Sequence, residues 1–122
     1  MCIPPLVSVV DDDESVRESL PDLLRVLGFG AQAFSSAEEF LESGFVDRTR
    51  CLLLDVAMPG MSGPDLQREL KRRHQEVPVV FITAHTDEAI RSRVLEQGAV
   101  ECLLKPFSEI ALLDAINRAL RA

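Results

Sequence analysis

Tryptophan and tyrosine are absent from this chain of 122 residues, and six phenylalanines are its only aromatic side chains. The large rings that usually stack on a flavin are therefore missing. Positive charge is also scarce. Thirteen basic against twenty acidic side chains give a net charge of -7 at pH 7, which repels a nucleic-acid backbone and argues against direct DNA or RNA binding. Cysteines number only three, Cys2, Cys51 and Cys102, an odd count without zinc-type spacing. Two of them lie in apolar runs, which reads as reduced thiols in a cytosolic protein and not as a disulfide framework. No apolar stretch approaches the ~20 residues of a membrane span, and Met1-Cys2-Ile3-Pro4-Pro5 lacks a charged segment before a hydrophobic core. The expectation is a soluble, unexported chain. Repeats, low-complexity tracts and interdomain linkers are missing too, so residues 1–122, with 47% hydrophobic content, read as one compact domain.

What the chain does contain is four apolar runs that each end in a reactive polar residue. Leu6-Val7-Ser8-Val9-Val10 leads into Asp11-Asp12-Asp13, Cys51-Leu52-Leu53-Leu54 into Asp55, Val79-Val80-Phe81-Ile82 into Thr83, and Cys102-Leu103-Leu104 into Lys105-Pro106. Continuous apolar runs are the mark of strands buried on both faces, as in a parallel sheet covered by helices. Between them lie helical patterns. Val16, Leu20, Leu23, Leu24 and Leu27 share one helical face that stops at Gly28, with Pro21 inside it predicting a kink. A short strand over Gly30 to Phe34 follows. Ser36 with Glu39 predicts a capping box opening a second helix to about Glu42, and residues 43–50 form a polar connection. Further helices are expected over about 64–73, over 87–97 with a stop at Gly98, and on the stripe Ile110, Leu113, Ile116 and Leu120. A fifth strand covers about 101–104. The pattern is α/β, with five strand-helix units, and parallel strands of this kind place ligands outside their carboxyl ends.

Those ends then bring carboxylates, a hydroxyl and an ammonium to one edge. A carboxylate attacks phosphorus only when its charge, and that of the incoming group, is neutralised by a metal ion or fixed cations. Asp55 fits the nucleophile, forming an acyl phosphate. The Asp11-Asp12-Asp13 cluster supplies hard oxygens suited to Mg²⁺, Lys105 a point charge for the phosphoryl group, and Thr83 a hydroxyl donor to it. Asp55 taken singly is an ordinary turn former, Thr83 a strand-end hydroxyl and Lys105 a solvated charge. Their joint placement is what points to a site. His74 reads as exposed on a helix end and His85 as a loop residue beside the site that adjusts phosphate lifetime. Arg68, Lys71, Arg72 and Arg73 read as a solvated helix end favourable to the helix dipole.

Val9-Val10-Asp11-Asp12, Leu54-Asp55-Val56-Ala57-Met58-Pro59-Gly60-Met61-Ser62-Gly63, Ile82-Thr83-Ala84 and Leu104-Lys105-Pro106-Phe107 together resemble the receiver domain of two-component response regulators. The resemblance spans nearly the whole chain, and the intervals of 28 residues from Asp55 to Thr83 and 22 from Thr83 to Lys105 also fit. Ser36-Ala37-Glu38-Glu39-Phe40-Leu41 and Met61-Ser62-Gly63 look closest to nitrogen-fixation-type transcriptional regulators. The resemblance implies a flavodoxin-like five-stranded parallel sheet flanked by five helices. It implies that Asp55 takes a phosphoryl group from a sensor histidine kinase, with Asp12 and the Ala57 carbonyl as direct Mg²⁺ ligands and Asp11 acting through water. Three adjacent aspartates leave a second register open, with Asp13 in place of Asp12; the first register leaves Asp13 free to favour a helix N-terminus. A cis Lys105-Pro106 bond is expected on the same ground. Phosphorylation is expected to draw Thr83 inward and reshape the face of the fourth helix, fifth strand and fifth helix, driving an output domain or a phosphorylation-dependent homodimer. DNA would be reached only through an output domain outside this chain, with a stand-alone phosphorelay receiver as the alternative. One departure is Cys102, which stands where many relatives carry an aromatic switch residue.

Two other classes compete. An aspartyl phosphohydrolase of the haloacid dehalogenase type wants a general acid two residues after its nucleophile, where this chain has Ala57. A flavodoxin-like FMN carrier wants a phosphate-cradling first loop, and Asp11-Asp12-Asp13 would repel that phosphate. The module is therefore read as a signalling device that turns over no metabolite.

Overall fold

A computed structural model describes residues 3–84 and 87–121; Cys2 and His85, and what was expected of them, lie outside the described residues. Five strands, β1 (Leu6–Val10), β2 (Gly30–Phe34), β3 (Thr49–Asp55), β4 (Val79–Thr83) and β5 (Glu101–Leu104), form one parallel sheet in the order β2-β1-β3-β4-β5. Helices α1 (Glu14–Val26), α2 (Ala37–Glu42), α3 (Gly63–Arg72), α4 (Glu88–Glu96) and α5 (Glu109–Arg121) connect and flank them. This is the flavodoxin-like arrangement read from the sequence. The strand order reverses between β1 and β3, and such a switch point opens a crevice at the carboxyl ends.

Alternation along the strands divides the core. Val7, Val9, Cys51, Leu53, Val80 and Ile82 face α1 and α5, where Leu20, Leu24, Leu112, Ala115 and Ile116 meet them. Val10, Leu52, Leu54 and Phe81 face the other layer with Phe40, Leu66, Leu70 and Val94. Each such fully buried aliphatic or aromatic side chain contributes about 1.5–3 kcal/mol from its removal from water, so the central strands hold the frame. Ser8 in the middle of β1 and Thr49 at the start of β3, both buried and polar, share a 2.7 Å hydroxyl pair.

As the sequence pattern predicts, α1 runs on through Pro21, whose ring is buried, its apolar packing offsetting the bond that a proline cannot donate. Three local expectations need correction. Ser36 does cap α2 by accepting from the Glu39 N–H at 3.0 Å, but the Glu39 carboxylate turns to the N–H and hydroxyl of Ser35, so the box is half formed. The complete box sits at α3, where Ser62 and Asp65 exchange side chain to backbone bonds. Residues 43–50 hold a 3₁₀ turn, Val46–Arg48, and β3 begins at Thr49. On α5 the buried stripe is Leu112, Ala115, Ile116 and Ala119, whereas Ile110 is 82% exposed, because the helix is rotated from the face that large residues alone suggested.

Candidate functional site

The carboxyl ends of β1 and β3 place Asp11, Asp12 and Asp55 together, and one carboxylate oxygen from each lies within 4.8 Å of the others. Asp11 and Asp55 are buried, and Asp12 is exposed. Asp11 is fully engaged: its N–H donates to the Phe34 carbonyl at 3.1 Å, Oδ1 accepts from the Asp13 N–H at 2.9 Å, and Oδ2 accepts from Lys105 Nζ at 2.9 Å. Asp13 stands outside this cluster. It is the N-cap of α1, accepting from the N–H and hydroxyl of Ser15 at 2.9 and 2.8 Å, which holds its carboxyl below the usual range. A cap of this kind satisfies an otherwise unpaired helical N–H.

Asp55 is 7% exposed, and its carboxyl is pushed up from 3.8 to about 7. Burial is the largest cause, the Asp11 charge the next, with Lys105 opposing and Asp12 adding to the rise. The Lys105 ammonium thus offsets the crowding of negative charge around Asp55 only in part. On Lys105, burial pushes the ammonium down, yet the hydrogen bond and charge of Asp11, with Asp55 and Asp13 behind, outweigh it and leave its pKa raised. The donor set fits Mg²⁺: hard carboxylate oxygens, few in number, with the Asp12 side open to water. Ala57 is exposed at the rim after β3, and the Lys105-Pro106 peptide is cis, as expected.

Thr83 ends β4, and its carbonyl accepts from the Lys105 N–H at 2.7 Å, tying the β4 and β5 tips together. Thr83, Ala57, Val56, Ile90, Cys102 and Leu104 line a cleft of about 490 Å³ under the N-terminal half of α4. Cys102 is half-buried in its wall with the thiol pKa raised by burial, so the small side chain leaves space where a ring would fill it. All the strand-tip residues singled out from the sequence thus meet at one edge of the sheet.

Gly63 was legible only as part of a loop. In the fold it begins α3 directly behind the nucleophile candidate: a Cβ there would stand 2.3 Å from the Asp55 carbonyl oxygen and 2.9 Å from Phe81 Cε1. Its N–H donates to the Val56 carbonyl at 3.0 Å. Its φ lies outside the left-handed region, so crowding and not backbone freedom demands glycine. Glu38 of α2 braces the same loop, Oε2 accepting from the Met61 N–H at 3.3 Å. His74 is exposed on the end of α3, as read, but adopts a left-handed φ of 59°.

Comparison with known proteins agrees with this geometry. Residues 7–117 match the family described as the response regulator receiver domain. Nodulation protein W of Bradyrhizobium diazoefficiens is 48% identical over 114 residues, 93% of this chain and 50% of that protein. The transcriptional regulatory protein FixJ of Rhizobium meliloti is 38% identical over 113 residues, 93% of this chain and 55% of that protein. The chain thus spans about half the length of these relatives. The crystal structure of FixJ-N superposes with a TM-score of 0.87 at 36% identity, covering 98% of this chain and 96% of that one. With the family match covering most of its length, the chain belongs to the response regulator receiver domains of two-component signalling systems.

Proposed function

We propose that Asp55 is the phosphoacceptor and that a sensor histidine kinase is its donor. The observation that carries this reading is a buried carboxyl held between two acidic neighbours and one ammonium at the sheet's switch point. An Asp55 Oδ attacks phosphorus, the P–N bond to the kinase imidazole breaks, and the imidazole nitrogen leaves with the electron pair and takes up a proton. Asp11, Asp12, Asp55 and the Ala57 carbonyl would hold Mg²⁺, which when bound offsets the negative charge gathered by the nucleophile and the phosphoryl oxygens. Lys105 exchanges part of its bond with Asp11 for the phosphoryl oxygens, and Thr83 donates its hydroxyl to another. Since the phosphoryl group interacts differently with the two positions of Thr83, it biases a pre-existing equilibrium of the α4, β5 and α5 face. That face would control an output domain, transcriptional as in FixJ, or pair with a second copy; DNA would be met only through the output domain. The absence of an acid at Ala57 leaves the phosphohydrolase reading without a leaving-group donor.

The test is incubation with acetyl phosphate and Mg²⁺ followed by intact-mass measurement. Wild type should gain about 80 Da, the mass of one phosphoryl group, and Asp55→Asn none. A gain retained by Asp55→Asn would remove Asp55 from the role.

A further inference from the structure

Arg17 occupies an unfavourable place unless it has local work. It is the fourth residue of α1, in the first turn, where the positive end of the helix dipole favours acids and repels a guanidinium. Among the described residues its side chain pairs with no carboxylate, unlike a usual surface arginine. Nη1 reaches back across the turn and donates to the main-chain carbonyl of Asp11 at 3.0 Å. The other polar groups of Asp11 are already held by Phe34, Asp13 and Lys105, so this bond completes its fixation.

That carbonyl belongs to the peptide joining Asp11 to Asp12. A peptide unit is planar, so holding its oxygen sets the plane from which the Asp12 Cα and side chain depart. Asp12 itself is exposed, yet its side chain brings a carboxylate oxygen within 4.8 Å of those of Asp11 and Asp55. Its direction is thus inherited from a peptide that Arg17 pins. A further feature of α1 converges on the same residue: Pro21, four positions on, cannot donate to the Arg17 carbonyl, which leaves this part of the first turns with one helical restraint fewer.

We propose that Arg17 is a positioning residue of the acidic site, clamping the Asp11-Asp12 peptide so that Asp12, and not Asp13, is presented with Asp55 to a divalent cation. This rests on the functional reading above. It separates three adjacent aspartates into three tasks: Asp11 is bonded to Lys105, Asp12 is set beside Asp55 for the cation, and Asp13 caps the helix.

The test uses the full chain, with Mg²⁺ titrated calorimetrically into wild type, Arg17→Met and Arg17→Lys, and with thermal unfolding recorded without Mg²⁺. Arg17→Met loses one charged hydrogen bond at the clamp and should bind Mg²⁺ about tenfold more weakly. Arg17→Lys keeps a cationic donor on a shorter reach and should fall between the two. In acetyl phosphate assays the loss should appear in the Mg²⁺ concentration for half-maximal phosphorylation and not in the plateau rate, which a merely structural defect would lower. A Kd for Arg17→Met within about twofold of wild type overturns the proposal, as does a lowered plateau at unchanged Kd. If Arg17→Met does not fold, a wild-type Kd in Arg17→Lys overturns it. Absence of Mg²⁺ binding by wild type overturns the functional reading together with the proposal, whereas phosphate gain by Asp55→Asn overturns the phosphoacceptor assignment alone.

Discussion

The two sides of the candidate site are built to different tolerances. On the α1 and α5 side, Leu20, Leu24, Leu112, Ala115, Ile116 and Ala119 are buried against Val7, Val9, Leu53 and Val80, and Asp11 is bonded through every polar group. On the α4 side only Val94 of the helix is buried, and the N-terminal half stands over the cleft. The C-terminal end of α4 is the tethered one: Gln67 Nε2 donates to the carbonyls of Val94 and Gln97 at 3.3 and 3.5 Å, and Lys71 donates to the Gln97 carbonyl as well. Close packing resists displacement, whereas a helix with few buried contacts opens at low cost. The difference teaches that the two halves of one sheet edge are held to different degrees. Under the proposed function, the half that would orient the reacting groups is the closely packed one, and the half that would report has room to move.

The largest effect that could break this contrast comes from paired truncations. Leu112→Ala on α5 should destabilise the fold by about 3 kcal/mol through lost burial and the cavity left, while Ile90→Ala at the cleft should cost no more than about 1 kcal/mol. Urea unfolding measures both, and equal losses would mean that α4 is as tightly packed as α5.

Gly63→Ala sharpens the rigid side. Its methyl must displace the Asp55 carbonyl or the Phe81 ring, an overpacking cost of about 1–3 kcal/mol, with phosphorylation by acetyl phosphate slowed as Asp55 moves. Unchanged stability and rate would show that the backbone behind Asp55 yields freely.

A smaller effect concerns charge. The folded Asp55 carboxyl holds its proton to about pH 7, while the unfolded one releases it near 3.8, so the folded state binds more protons across that interval. Stability in the absence of Mg²⁺ should therefore fall as pH rises from about 4 to about 7. Asp55→Asn should be insensitive to this and about 1–2 kcal/mol more stable than wild type at pH 8. Thermal melts over this range check both; a pH response retained in Asp55→Asn would assign it to other groups. The smallest effect lies outside the comparison, at the opposite end of the sheet. His74→Gly relieves a left-handed residue and should raise stability by up to about 1 kcal/mol without altering phosphorylation.

Much of this was legible beforehand for a physical reason. Runs such as Cys51-Leu52-Leu53-Leu54 contain no polar alternation, so both faces must be covered, and a polar residue at the end of such a run must surface at the strand tip. Asp11, Asp55, Thr83 and Lys105 are all found by that rule. Gly63 and Arg17 are not, because their roles depend on the distance to atoms far along the fold or across a turn, which composition and spacing do not encode. Ile110 misled for a related reason: size suggested a buried position, but helix rotation favoured the small Ala115 and Ala119 against the sheet. The α3 cap was hidden because Met58-Pro59-Gly60-Met61-Ser62-Gly63 reads as loop, while Ser62 already belongs to the helix end.

Periodicity and strand-end chemistry, being local properties of a covalent chain, were enough to establish five strand-helix units, an acidic rim and the family resemblance. Tertiary structure alone decided which aspartates cluster with Asp55 and which one caps α1, how far burial raises that carboxyl, and which helix is left loosely packed. Those outcomes follow from distances between residues remote in sequence, and electrostatic and packing energies depend on such distances.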